Sequence, residues 1–275
     1  MEVSQLPLQV RWLILIILTS LTYGNLSALV SAKRLYFLAS VTPHSALLAV
    51  ILAVITSNTL GLLNDYLWAT VIGCSLLMVV GYLIYRGVNA DIITSLYVAS
   101  TASLSVLLMN YVLTNYKLTY SLWSIILGDP LLTTWMDVLA VAIVALLTEV
   151  ITLTTIKYHI YSGVDLDFLK LSRGYGLAYE LLFYLLLGIS SVALIKVTGF
   201  ILQHVLILLP AITAARVCSS SRCTYILSII VSTTAGVLGL VIAILANTSP
   251  SGSIGAILIS IYLIMLLKNI VSRKY

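Results

Sequence analysis

Charged side chains are scarce in this chain: Asp, Glu, Lys and Arg make up 8% of its 275 residues, where a soluble domain carries about 25%. That shortage excludes water as the solvent of the fold. Cysteine occurs three times, too few for a disulfide framework. Cys74 falls in the middle of an apolar block, and Cys218 and Cys223 have the wrong spacing for a zinc knuckle, so all three read as inert thiols. The sequence holds no Gly-x-x-x-x-Gly-Lys-Ser/Thr phosphate loop, no His-Glu-x-x-His and no pair of intramembrane aspartates. It therefore reads as a chain without catalytic machinery, and any ATP hydrolysis must come from another subunit. No basic patch is interleaved with exposed aromatics, so no nucleic-acid partner is implied.

What the chain has in abundance is apolar sequence: 61% of residues are hydrophobic and the mean hydropathy is +1.14. A hydrocarbon core of roughly 30 Å needs about 20 apolar residues of helix. Blocks of suitable length run over 12–30, 35–57, 66–85, 92–114, 138–155, 177–195, 199–215, 224–246 and 254–267. They are continuously apolar rather than alternating, which excludes a β-barrel. The expectation is an all-α, polytopic transmembrane bundle forming one domain over 1–275, with eight or nine spans. The open choice lies at the sixth and seventh blocks, separated only by Lys196-Val197-Thr198, where one member is a candidate partial or re-entrant helix. Block one reads as a retained span, since Glu2 and Arg11 both precede it and no small-x-small cleavage site closes it.

Cations fix the expected orientation, because Lys and Arg collect in cytoplasmic loops. With the N-terminus outside, Lys33, Arg34, Arg86, Lys157, Lys170, Arg173, Arg216, Arg222, Lys268, Arg273 and Lys274 face inward, against Arg11, Lys117 and Lys196 outside. A plasma-membrane protein with a cytoplasmic C-terminus is the result. The one inner segment long enough for an element of its own is 157–176, with a short helix expected over about 163–175. Asp165 reads as its N-cap, Asp167 favours its first turn, and Gly174 or Gly176 closes it. Leu166, Phe168, Leu169 and Leu171 make it too apolar for a solvated loop, so a partner protein or the membrane surface must cover it. On the outer side, Asp129 reads as an N-cap with Pro130 at the first helical position, and Thr248-Ser249-Pro250 repeats that logic.

Ionisable groups inside a membrane mark a pathway or a paired site. The candidates are His44, Glu149, Glu180 and His204, with Asp91 expected to cap the fourth span near Arg86 and the two glutamates expected to pack or pair near the cytoplasmic element. His44 lies ten residues beyond Arg34, about 15 Å deep, and His204 twelve residues before Arg216, about 18 Å from the same boundary. Two imidazoles at matching depth suit zinc or another borderline divalent ion. Pro43 and Pro210 interrupt the backbone beside them, the latter freeing the Leu206 carbonyl. Ser40 shares a face with His44, and Gln203 adds an amide beside His204.

Several motifs then resemble one family. The run from Gly199 to Arg216, ending in Leu209-Pro210-Ala211-Ile212-Thr213-Ala214, is similar to the hallmark of permeases from zinc-, manganese- and iron-type ABC importers. Lys33-Arg34 ahead of His44, Leu127-Gly128-Asp129, and Pro250-Ser251-Gly252 before the last span resemble further motifs of that family, in the expected order. The resemblance implies a type II ABC importer permease working as a homodimer, two cytoplasmic ABC ATPases docked on a coupling helix, and an extracytoplasmic metal-binding protein. The coupling residues it implies are Asp165, Asp167, Phe168, Leu169, Arg173 and Gly174. The chain departs from the pattern at Ser40, where the family commonly has an aspartate, and at His204, where it usually has Ser or Thr. Removing a carboxylate and adding an imidazole favours zinc as the transported ion, with no stably bound cofactor. A metal chelate as substrate is the alternative, and a stand-alone secondary transporter or intramembrane enzyme is a third reading.

Overall fold

The computed structural model describes residues 8–116, 128, 130, 133–172 and 176–272. The ordered elements are all helical: α1 (Leu8–Lys33), α2 (Tyr36–Leu60), α3 (Asp65–Tyr85), α4 (Ala90–Asn115), α5 (Trp135–Val164), α6 (Leu166–Ser172), α7 (Gly176–Ala215), α8 (Ser221–Ala246) and α9 (Pro250–Ser272). Eight of them are long and apolar enough to cross a membrane. Their boundaries are set by local chemistry: Asn64, Asn89, Thr134 and Ser220 cap the N-termini of α3, α4, α5 and α8 with their side chains. Asn89 takes the place expected of Asp91, which sits instead in the first turn of α4. Pro250 opens α9 as expected, and Pro130 lies in a short turn whose carbonyl accepts from Thr133. Asp129 lies outside the described residues, as do Arg173 and Gly174.

The 40-residue α7 settles the sixth and seventh blocks. In a straight helix, residues 191 and 203 stand about 18 Å apart. Here the Gln203 amide donates to the Ser191 carbonyl at 2.8 Å, so the chain doubles back. The reversal is at Gly199, whose φ of 67° and ψ of 169° lie in a region open essentially to glycine alone. Residues 176–198 form one arm and 200–215 the return arm, which makes two apolar helices of one element.

The reversal defines the two ends of the bundle. At the Gly199 end, Lys196 pairs with Asp137 at 2.8 Å and Ser251 bonds to the Thr198 and Gly128 carbonyls. At the Lys33 end, Gly163 lies so close to the Ala32 carbonyl that a Cβ would come within 1.9 Å of it, and Lys170 sits 4.9 Å from the Tyr85 ring. Helix α1 runs from the first end to the second, and so does α9, which begins at Pro250 and later brings Tyr262 to Arg216. The first and last described helices thus run in the same direction, with Leu8 and Ser272 at opposite ends.

Helix α1 is the central post, packed by α5, α7 and α8, while α2 holds α3, α4 and α7. Small side chains permit this contact: Ser228 and Ser232 of α8 donate to the Gly24 and Ser20 carbonyls of α1, each at 2.7 Å. Two expectations need correction at the Lys33 end. The fifth span, expected to end at residue 155, continues as α5 to Val164 and buries His159 completely; nothing from Lys157 to Ser162 breaks a helix. Gly176 opens α7 and does not close the short helix. Cys218 and Cys223, expected as inert thiols, are joined in a disulfide, since the turn after α7 brings their Cα atoms to 5.5 Å; Cys74 is free and buried.

Candidate metal path and coupling surface

His44 enters the site from α2. Pro43 cannot donate to the Ala39 carbonyl, and the Thr42 hydroxyl does so in its place at 2.9 Å. The helix therefore keeps its course through the proline. His204 enters from the return arm of α7, whose rotation about its own axis is fixed against α1. Gln203 is fully buried and donates to the Tyr23 hydroxyl as well as to Ser191. Ser27 accepts from the Ala211 amide at 3.1 Å and donates to the Leu208 carbonyl, tying the stretch around Pro210 to α1. With Gln203 locked toward α1, its neighbour one residue on is turned about 100° away, toward α2.

The outcome is a pair of half-buried imidazoles with ring centroids 5.6 Å apart, edge to face. Phe200 touches both, with centroids 4.7 Å from His44 and from His204. The His204 Nδ1 lies 2.7 Å from the Phe200 carbonyl, so Nδ1–H donates there and Nε2 keeps its lone pair for a ligand. Ser40 turns its hydroxyl back to the Phe37 carbonyl at 2.6 Å. Among the described residues no three His, Cys, Asp or Glu side chains gather in one place. A single protomer offers two nitrogen donors here.

Sequence reasoning overlooked Phe200. Its signal was an aromatic four residues before His204 and directly after the reversing glycine. It also overlooked two ion pairs, Lys196–Asp137 at the Gly199 end and Lys33–Glu180 at the other. Lys33, expected as a loop cation, is buried and bonds to Glu180 and Ser162 at 2.5 Å each. Glu180 is thereby paired, as expected of it, whereas Glu149 has no ion-pair partner among the described residues and its Oε1 is buried without a hydrogen bond.

Beside the Lys33–Glu180 pair, α6 packs on α5 and α7. The Asp165 carboxylate accepts the Phe168 amide at 2.8 Å as an N-cap, and Asp167 pairs with Lys170 at 2.9 Å. Leu169 points inward at 4% exposure, while Phe168 and Leu171 are exposed at 67% and 89%.

Residues 5–269 match the ABC 3 transport family. The chain is 26% identical over 261 residues to the high-affinity zinc uptake system membrane protein ZnuB of Buchnera aphidicola subsp. Acyrthosiphon pisum, covering 94% of this chain and 95% of that protein. Its fold is similar to the solved structure of PsaBC from Streptococcus pneumoniae in complex with Fab, with a TM-score of 0.79 at 23% identity, over 95% of this chain and 92% of that one. The family match spans nearly the whole sequence and confirms what the motifs resembled: the chain belongs to the ABC 3 transport family, as a permease of the metal-importer type.

Proposed function

We propose that this chain forms the translocation path of an ABC importer for divalent transition metal ions, with zinc as the favoured substrate. The observation that carries the reading is the His44–His204 pair, its rings 5.6 Å apart with no carboxylate among the described residues in company. Imidazole suits zinc, while a hard ion such as Mn²⁺ prefers the oxygen that Ser40 does not supply in anionic form. The zinc uptake named for the Buchnera relative points the same way. Zinc takes four ligands, so a two-fold permease dimer that brings four imidazoles together completes the site.

The cytoplasmic side is the Lys33 end. Among the described residues it collects Lys33, Arg34, Arg86, Lys157, Lys170, Arg216, Arg222 and Lys268, against Arg11 and Lys196 at the other end. An ABC ATPase pair covers the exposed apolar side chains of α6, and an extracytoplasmic metal-binding protein delivers the ion at the Gly199 end. The test is zinc uptake by cells carrying the permease with its ATPase and binding protein. Uptake falls to background in the His44→Ala, His204→Ala double variant, provided membrane insertion is unchanged. Uptake at the parental rate in that variant defeats the proposal.

A further inference from the structure

A second polar constellation lies on the other side of α1 from the histidines. A cavity of about 320 Å³ at the Lys33 end is lined by Ala28 and Ala32 of α1, Ile156 and Ile160 of α5, and Tyr225 of α8. Followed deeper into the bundle, the lining faces of α1 and α5 become polar. Asn25 precedes Ala28 by three residues and Ala32 by seven, and Glu149 precedes Ile156 by seven and Ile160 by eleven, so each shares the face of those lining residues. The Glu149 and Asn25 side chains face each other, and the Tyr225 ring is within electrostatic range of Glu149.

These groups are unsatisfied where satisfaction matters most. Asn25 is fully buried; its amide lies beside the Glu149 carboxylate, yet neither its oxygen nor its nitrogen makes a hydrogen bond of good geometry. The same holds for Glu149 Oε1, the Tyr225 hydroxyl and the hydroxyl of Thr152, which follows Glu149 by one turn. Asn25 is eight residues from the end of α1, about 12 Å into the bundle. Four oxygen-bearing side chains with unsatisfied buried atoms at that depth are costly unless something binds them.

We propose that Asn25, Glu149, Thr152 and Tyr225 form a site for one sodium-sized monovalent cation at the deep end of the inner cavity. The donors are a carboxylate, an amide carbonyl and two hydroxyls, a hard oxygen set that suits alkali and alkaline-earth ions and disfavours zinc. Charge selects the valence. Glu180, the other intramembrane glutamate, is committed to Lys33, so one carboxylate faces the site, and a divalent ion would leave a net positive charge in a low-dielectric interior. Filling the site ties α5 and α8 to α1. This assignment stands apart from the histidine pair and does not depend on the identity of the transported metal.

Thermal unfolding of the full chain in detergent, with sodium chloride exchanged for choline chloride at constant ionic strength, tests it. A ligand that binds only the folded state raises the midpoint with its concentration. The unfolding midpoint of the parent rises with sodium, as does that of the His44→Ala, His204→Ala variant. In Glu149→Gln the sodium dependence disappears, and in Asn25→Ala it weakens. Should Glu149→Gln fail to fold, Asn25→Ala and Thr152→Val make the comparison. Equal midpoints in sodium and choline for the parent, or a sodium response in every variant equal to the parent's, overturn the site.

Discussion

The buried ion pair of Lys33 and Glu180 holds two full charges at 2% and 6% side-chain exposure, against Ser162 and the Phe183 ring. Its value lies in what happens when half of it is removed. An uncompensated charge at such a position costs about 3–5 kcal/mol, whereas replacing both partners with apolar residues of similar size is close to neutral. Glu180→Gln should therefore lower stability by about that amount, and Lys33→Met combined with Glu180→Met should recover most of it, read as thermal unfolding midpoints in detergent. The histidine pair was legible in the sequence by depth, since counting residues from Arg34 and Arg216 placed both rings at one level. Direction about the helix axis was not legible. Gln203 and His204 are neighbours in the chain, yet one is locked onto Tyr23 and Ser191 while the other meets His44. Only the contacts of α1 with the return arm choose between them.

Among the elements, the arms of α7 and the short α6 carry the sharpest expectations. Gly199→Ala forces a Cβ into a backbone conformation that costs of order 1–3 kcal/mol for a residue other than glycine, with Gly128 packed against the same turn. The variant should insert poorly or unfold at lower temperature, and its His44–His204 pair should be lost, measured as weaker zinc binding by the purified protein. For α6 the division is between fold and docking. Asp165→Ala removes the N-cap bond to Phe168 and should cost about 1 kcal/mol, loosening the helix. Phe168→Ala and Leu171→Ala touch side chains that are exposed, so the unfolding midpoint should stay at the parental value while co-purification of the ATPase falls. A loss of stability equal to that of a core substitution would count against a docking role. The 157–176 segment shows why boundaries blur here: the apolar block ends at residue 155, yet a helix does not stop where the membrane does unless a residue stops it.

For the molecule as a whole, the reversal at Gly199 sets the parity of the described helices and so leaves Leu8 and Ser272 at opposite ends. Reporter domains fused at each terminus should then give opposite signals, with the C-terminal fusion active in the cytoplasm and the N-terminal one outside. Signals from the same side would require one apolar arm of α7 to stay out of the crossing count.

Hydropathy by itself determined the solvent, the helical class, the number of apolar blocks and most of their limits, because a helix in hydrocarbon must be apolar along its whole length and says so in one dimension. The motifs determined the family for the same reason, being local in the chain. Tertiary structure alone decided which polar groups meet: Lys33 with Glu180, Lys196 with Asp137, Asn25 facing Glu149, and His44 with His204 across Phe200. Those encounters depend on how each helix is rotated and which neighbour it touches, and rotation is fixed by side-chain packing between segments far apart in sequence.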